Sequence, residues 1–172
     1  MTPRQFDQMY RMHSHRLLKI AWHLTGSKHD AEDAVQETFL RALRAVEYHY
    51  DERSAAGAWL TTILINFIRE SGRRATLMRE KIQPELVQTA HPESSTSSAE
   101  NVLLLDETIR RTWAALQQIP ESFRETLILR HVDGKPAREI AGILGIDSAT
   151  VRSRARRARE MILRILDGDK AV

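Results

Sequence analysis

Apolar residues recur every three to four positions through nearly every segment of this 172-residue chain, a spacing that belongs to helices rather than strands. The first segment carries one such stripe, which stops at the sequence TGSK and comprises Phe6, Met9, Tyr10, His13, Leu17, Ile20, Ala21 and Leu24. A stripe with this period lies along one face of a helix and has to be buried against a partner. The pattern therefore predicts an all-α protein.

A stretch without this period interrupts the middle of the chain. The sequence QTAHPESSTSSAEN is rich in serine, threonine and proline, which is typical of a flexible linker. We therefore predict two small helical domains, residues 1–75 and 104–172, joined by a linker over 76–103. Residues 1–100 carry 13 basic and 13 acidic side chains and residues 101–172 carry 13 and 10, so the net charge of +3 lies in the second part.

The sequence TVRSRARRAR, residues 150–159, places five arginines in ten positions. At 100° per residue, one face of this helix is apolar and consists of Val151, Ala155, Ala158, Ile162 and Ile165. The polar residues lie opposite (Ser153, Arg156, Arg157 and Glu160) and on the shoulders (Arg152, Arg154 and Arg159). A surface of nearly one sign repels itself unless an anion lies beside it. A solvated helix face is the alternative interpretation.

The segment before it, KPAREIAGILGIDSA, predicts a short helix whose inward residues are Ala137, Ile140, Ala141 and Leu144. Gly145 suits a left-handed helix end, and Asp147 or Ser148 can cap the next helix. Two helices joined by a tight turn, the second with a basic outer face, are typical of a DNA-binding helix-turn-helix, although a helical hairpin has the same outline. We expect the arginines to contact phosphates and guanine edges.

The segment HDAEDAVQETFLRALRAV has an inward face of Ala31, Ala34, Val35, Thr38, Ala42 and Val46. Its outer face carries Asp33, Gln36, Glu37 and Arg44, and Leu40 lies among them. A single exposed leucine is ordinary in a soluble protein. A leucine ringed by polar residues also resembles the centre of a protein interface, and the residues alone do not decide between the two.

A third helix, AGAWLTTILINFIRESGRR, has an inward face of Trp59, Leu60, Ile63, Leu64, Phe67 and Ile68. The residues mainly outside are Thr62, Asn66, Arg69, Arg73 and Arg74. The loop before it, EYHYDERSAAG, contains Tyr48, Tyr50 and Arg53. Aromatic residues beside a basic helix can stack on unpaired bases. The alternative is that the tyrosines cover the edge of the core.

Several classes of protein do not fit this composition. The chain has no cysteine, which excludes disulfides and thiolate metal sites, and the H-x-H of His13 and His15 points its rings to different sides of a helix. No stretch resembles a signal peptide or a membrane span, so a cytoplasmic protein without membrane insertion is expected. No nucleophile–base pattern, glycine-rich phosphate loop or paired-carboxylate site stands out, so neither an enzyme nor a cofactor is predicted.

Three segments in this order resemble the bacterial extracytoplasmic-function sigma factors, the shortest class of the sigma-70 family. They are DAEDAVQETFLRAL, AWLTTILINFIRESGRR and LQQIPESFRETLILRHVDGKPAREIAGILGIDSATVRSRARRARE. The resemblance covers nearly the whole chain except the linker and the extreme termini. It implies a sigma2-like domain, a sigma4-like helix-turn-helix domain and a role in transcription initiation.

The resemblance also implies a role for each segment. The helix with Asp30, Asp33, Gln36, Glu37 and Leu40 looks like the one that docks on the β′ clamp helices of core RNA polymerase, and the β flap is a second expected contact. Residues that would capture a flipped base and read the minus-ten element are Tyr48, Tyr50, Arg53, Asn66, Arg69, Arg73 and Arg74. Residues that would read or grip the minus-thirty-five element are Arg152, Ser153, Arg154, Arg156, Arg157 and Arg159. An anti-sigma factor is an expected partner, and stress an expected signal.

Two departures from the family pattern leave the promoter sequence open. Family members commonly have aspartate where this chain has Glu70, which is followed by the helix-weakening Gly72. Arg156 occupies a position that is often aromatic or histidine in relatives. The alternative function is a two-domain regulator that binds an operator by itself and uses its first half to dimerise or sense a signal. A pure interaction module fits less well with the basic helix.

Overall fold

A computed structural model describes the backbone of residues 2–45, 56–82 and 107–168. Across these ranges the chain forms seven helices and no strand, which confirms the all-α prediction. The chain divides into two compact units between residues 96 and 97, inside the predicted linker, whose residues 83–103 lie outside the described ranges. Within the described part, no helix is long and apolar enough to cross a bilayer.

The first unit contains three helices that pack against one another: α1 (Pro3–Thr25), α2 (Lys28–Ala45) and α3 (Ala56–Ile82). Its buried apolar residues are Met9, Leu17, Ile20, Ala21, Leu24, Ala31, Ala34, Val35, Phe39, Ala42, Leu60, Leu64 and Ile65. Most of these residues lie on the stripes read from the sequence, because a three-helix core needs one apolar face from each helix. Val46 lies outside the described ranges.

Local side-chain chemistry sets the ends of α1 and the start of α2. The Thr2 hydroxyl accepts a hydrogen bond from the Gln5 amide, and the Gln5 side chain accepts one from the Thr2 amide, which together make a capping box. Gly26 ends α1 with a φ of 74°, a conformation that favours glycine. The Ser27 hydroxyl then accepts a hydrogen bond from the Asp30 amide at 3.3 Å and caps α2.

The α3 helix differs from the sequence expectation in two ways. Thr61 and Ile65 are buried, whereas the predicted core residues Trp59, Ile63, Phe67 and Ile68 are half-buried. The helix also passes through Gly72 and continues to Ile82, into the segment assigned to the linker, and residues 72–78 are all exposed. An exposed helix end carries no buried stripe, so periodicity could not detect it.

The second unit contains α4 (Glu107–Gln118), α5 (Glu121–His131), α6 (Ala137–Leu144) and α7 (Ser148–Gly168). The last helix, α7, packs against the other three. The buried apolar residues are Ala115, Leu116, Ile119, Ile128, Leu129, Ile140, Ile143, Leu144, Val151 and Ala158. Within this unit α7 buries Val151 and Ala158, while Arg152, Arg156, Arg157 and Arg159 are exposed.

The connection between α6 and α7 follows the predicted helix-turn-helix geometry. Gly145 has a φ of 67°, its amide donates to the Ala141 carbonyl, and the Ile146 amide donates to the same carbonyl at 3.1 Å. Asp147 Oδ1 then accepts a hydrogen bond from the Thr150 amide at 2.8 Å, so Asp147 caps α7. The turn predicted from Gly145 and Asp147 is confirmed.

Candidate nucleic-acid interface

The arginines of α7 lie outward from a seam of small side chains. Val151 and Ala158 are fully buried, and Ala155 between them is half-buried. Among the predicted minus-thirty-five residues, Arg152, Arg156, Arg157 and Arg159 are exposed, and Ser153 and Arg154 are half-buried. Because valine and alanine are small, the backbone of α7 can lie close to the helices that it packs against. One helix thus brings all six predicted residues together on its outer side and shoulders.

One carboxylate lies among these arginines. Glu160 Oε1 accepts a hydrogen bond from Arg156 Nη1 at 3.3 Å, across one helix turn. Both side chains are largely in solvent, where such a pair contributes little to folding. An arginine has five N–H donors, so this bond leaves other donors of Arg156 for a base or a phosphate.

The start of α7 carries a second carboxylate, which belongs to the cap. Hydrogen bonds from the Thr150 hydroxyl and the Thr150 amide hold the pKa of Asp147 below its ordinary value. An ionised carboxylate at this position is favourable because the N-terminus of a helix carries partial positive charge. The cap therefore fixes where α7 begins, and the direction in which its first arginines point.

The predicted docking residues lie along the outer side of α2. Asp30, Asp33 and Gln36 are exposed, Glu37 is half-buried, and Leu40 is 46% exposed. The structure therefore brings the five residues together on one helix face. Leu43, one turn further on, is also 48% exposed, and the sequence analysis did not name it as part of this face. The sequence could have indicated Leu43, because it follows Leu40 by three positions and residues three apart lie on the same side of a helix.

The predicted minus-ten residues on α3 have different exposures. Asn66, Arg73 and Arg74 are exposed, and Arg69 is half-buried. These four residues share one helix and lie within about two turns of each other. The other three predicted residues, Tyr48, Tyr50 and Arg53, lie outside the described residues. The structure therefore assembles part of this set.

Arg41 joins α2 to α3, a contact that the sequence pattern did not predict. Its Nε donates to Glu37 Oε1 at 2.9 Å, its Nη2 donates to Glu70 Oε2 at 3.0 Å, and its guanidinium lies 5.1 Å from the Phe67 ring centre. The hydrogen bond to Glu70, followed by the one to Glu37, raises the pKa of Arg41 above its ordinary value. Arg41 thus contacts one predicted docking residue and one neighbour of the arginines on α3.

Arg16 fixes the first turn of α3 against α1. Its Nη2 donates to the Gly57 carbonyl at 2.7 Å and to the Thr61 hydroxyl at 2.9 Å. The His13 ring packs beside Gly57, where an added Cβ would lie 3.4 Å from His13 Cε1. Burial, and then the charge of Arg16, lower the pKa of His13 below its ordinary value. His13 is a packing residue here, and the described residues contain no cluster of three potential metal ligands.

Each of the two units matches a known family model. The family model for sigma-70 region 2 matches residues 9–77, and the model for sigma-70 region 4 matches residues 109–162. The chain belongs to the sigma-70 family. The first match contains the predicted docking and minus-ten segments, and the second contains the helix-turn-helix. Proteins of this family are transcription factors rather than enzymes.

Individual relatives place this sigma-70 protein in the extracytoplasmic-function group. The ECF RNA polymerase sigma factor SigE of Mycolicibacterium smegmatis is 32% identical over 157 residues, which cover 91% of this chain and 60% of that protein. The RNA polymerase sigma-H factor of Pseudomonas aeruginosa is 30% identical over 168 residues, which cover 92% of this chain and 84% of that protein. The chain therefore spans less than two thirds of the Mycolicibacterium relative.

Two solved structures have a fold similar to that of this chain. The sigma factor RpoE from Bartonella quintana, in complex with the anti-sigma factor NepR, matches with a TM-score of 0.75 and 26% identity, covering 95% of this chain and 98% of that one. CnrH, in complex with the cytosolic domain of CnrY, matches with a TM-score of 0.69 and 25% identity, covering 98% and 91%. The two-domain helical fold is thus that of a sigma factor.

Proposed function

We propose that this protein is an ECF sigma factor that binds core RNA polymerase and directs it to specific promoters. The strongest support is the order of the two family regions, with the region 4 match ending in a helix whose arginines face outward. A sigma factor supplies sequence recognition, while the polymerase supplies catalysis.

The proposed polymerase surface is the outer face of α2, from Asp30 to Leu40. A protein interface commonly has an apolar centre and a polar rim, and Leu40 surrounded by acidic residues and a glutamine has that composition. The acidic rim favours a basic partner surface, such as the one the family resemblance implies on the β′ clamp helices. The β flap is the proposed second contact on the polymerase.

The proposed minus-ten surface is the outer side of α3, together with Tyr48, Tyr50 and Arg53. Exposed Asn66 has an amide that can donate to and accept from base edges, and the exposed cations Arg73 and Arg74 suit phosphates. Half-buried Arg69 is the fourth member on the helix. Melted DNA loses stacking energy, and a surface that binds the separated strand offsets that loss.

The proposed minus-thirty-five surface is α7. Arg152, Ser153, Arg156 and Arg157 are assigned to base edges in the major groove, and Arg154 and Arg159 to phosphates or to bracing of the fold. A recognition helix reads bases through residues near its N-terminus, and these positions fall in the first three turns of α7. Arginine is well suited to guanine because its two parallel N–H groups match O6 and N7.

An anti-sigma factor is the proposed inhibitory partner. One similar structure is a complex of a sigma factor with an anti-sigma factor, and another is a complex of CnrH with the cytosolic domain of CnrY. The exposed apolar residues of the first unit, among them Leu40 and Leu43, offer surface that an inhibitor could cover in competition with polymerase. Response to stress and a cytoplasmic location complete the proposal.

In vitro transcription tests the proposed function. The full chain is added to core polymerase with a library of duplex promoters, and transcripts are sequenced to identify enriched upstream elements. We expect specific initiation that depends on both the chain and the core enzyme. The transcribed promoters should share two sequence elements, about 35 and 10 base pairs upstream of the start. Tight binding of the chain alone to duplex DNA, with no binding to core polymerase, would support an operator-binding regulator instead.

A further inference from the structure

Glu70 is an acidic residue within the basic stretch of α3. Arg73 and Arg74 follow it by three and four positions, the two spacings at which side chains on a helix meet. An ion pair within α3 would therefore be available to Glu70. Such a pair would hold one of these guanidinium groups against a protein carboxylate and away from a DNA phosphate.

The structure shows a different partner for Glu70. Its Oε2 accepts a hydrogen bond from Arg41 Nη2 of α2 at 3.0 Å, and the Arg41 guanidinium is itself held by Glu37 and by the face of Phe67. The Arg41 hydrogen bond is the main reason why the pKa of Glu70 lies below its ordinary value. The charges of Arg74 and Arg73 contribute less.

We propose that Arg41 is a positioning residue that keeps Glu70 away from Arg73 and Arg74, and thereby leaves both of these arginines to bind DNA phosphates. The inference rests on the proposed role of α3 as a DNA surface and adds a residue on α2 to it. The planar guanidinium suits this role because Nε and Nη2 bind the two carboxylates at once, which a lysine ammonium does in a less defined geometry.

A purely structural role for the Arg41–Glu70 pair predicts a different pattern of results among the variants. If the pair only ties α2 to α3, loss of either partner weakens the protein, and loss of both is no better than loss of one. If Arg41 restrains Glu70, only the loss of Arg41 weakens DNA binding, because the released carboxylate then pairs with Arg73 or Arg74. Removing the Glu70 charge should then restore binding.

The experiment measures holoenzyme binding to a labelled promoter at several salt concentrations, with core polymerase saturating for each full-length variant. We expect Arg41→Met to weaken DNA binding by roughly three- to tenfold and to lower the salt slope by about one, because one phosphate contact is lost. Glu70→Gln should bind DNA as tightly as the unaltered protein. The double variant Arg41→Met/Glu70→Gln should return to within about twofold of it.

The matched control is Arg44→Met, which removes an exposed arginine from the same helix and should change DNA affinity by less than twofold. Core affinity and melting temperature are recorded for every variant, because Arg41 also binds Glu37 on the proposed docking face. If Arg41→Met does not fold, Arg41→Lys replaces it, with a smaller loss that Glu70→Gln should again restore.

Two results overturn the inference, and they are distinguishable from failure of the proposed function. A double variant as weak as Arg41→Met, or a Glu70→Gln variant as weak as Arg41→Met, would make the pair a structural tie alone. Normal DNA binding by Arg73→Ala and Arg74→Ala would instead remove α3 from the DNA surface, and the proposed role of Arg41 with it.

Discussion

Each of the two proposed DNA-facing helices carries a glutamate among its arginines, but the glutamates are held differently. In the first unit, Glu70 of α3 is bound by an arginine from another helix, Arg41 of α2. In the second unit, Glu160 of α7 is bound by Arg156 of the same helix. When an arginine of a neighbouring helix binds the carboxylate, the arginines of the DNA-facing helix all remain available for DNA. One held within the helix occupies a donor that a base could otherwise use.

The two helices are also oriented by different means. Packing against α1 and α2 orients α3, together with the hydrogen bonds from Arg16 to Gly57 and Thr61. The start of α7 is set by the short turn at Gly145 and the Asp147 cap. Both helices also pack against the other helices of their own units, so the difference lies in how their first turns are fixed, by an arginine from α1 for α3 and by a local cap for α7.

The largest expected effect is on core polymerase affinity, which we assign to the first unit through Leu40. Leu40→Asp should reduce affinity for core polymerase by at least about 100-fold, because a carboxylate would be buried in the apolar centre of the interface. The fold should persist, since the side chain is 46% exposed. Met12→Asp, at an exposed position on α1, is the control and should retain core binding. Normal core binding by Leu40→Asp, or its unfolding by circular dichroism, would contradict the assignment.

The next effect distinguishes base reading by α7 from phosphate binding. Alanine at Arg156 or Arg157 should cost about 1 to 3 kcal/mol of discrimination at particular upstream base pairs. Alanine at Arg154 or Arg159 should weaken all sequences alike if the residue contacts phosphate, with a salt slope lower by about one. Holoenzyme binding to a minus-thirty-five library at several salt concentrations measures both quantities. If all four variants lose affinity equally and no base preference changes, α7 is only an electrostatic contact.

A pair of glycines tests whether the turn before α7 needs the left-handed backbone conformation of glycine. Gly145→Ala should destabilise the second unit by about 1 to 3 kcal/mol, because alanine is strained at a φ of +67°. Gly142→Ala, three residues earlier inside α6, should stabilise the same unit by about 0.5 to 1 kcal/mol. An added Cβ meets no atom within 4 Å at either position, so the contrast reports the backbone alone. Thermal unfolding measures it, and a change of the same sign in both variants would contradict it.

The smallest effect concerns Glu160. Glu160→Gln should raise promoter affinity by roughly twofold, most for the sequences that Arg156 prefers, because it releases one donor of Arg156 and an exposed i,i+4 pair is worth a few tenths of a kcal/mol. Glu139→Gln is the control, since Glu139 of α6 pairs with Lys135, which lies four residues earlier in the turn before that helix. An equal change in the two variants would mean that only net charge matters and that the Arg156–Glu160 pair does not.

The sequence predicted features that depend on local rules. The structure reproduces the Gly145 turn and forms one of the two predicted caps, at Asp147. Of the predicted α7 face, Val151 and Ala158 are buried, and Ala155, Ile162 and Ile165 are half-buried. The sequence did not predict the Arg41 bridge, because nothing in the pattern says which turns of α2 and α3 approach each other. Burial of Ile65 was missed for a related reason. A helix between two others buries a wider face than one stripe describes.

The division of α7 into a buried seam and outward arginines has an evolutionary consequence. Val151 and Ala158 hold the helix in place, while Arg156 and Arg157 are exposed and contribute little to the core. Substitutions at these two positions are therefore expected to be nearly neutral for folding, and in the proposed role of α7 selection can act on them through DNA preference alone. A duplicated copy of the gene can thus acquire new target promoters by single-residue steps, with no need for compensating changes in its interior.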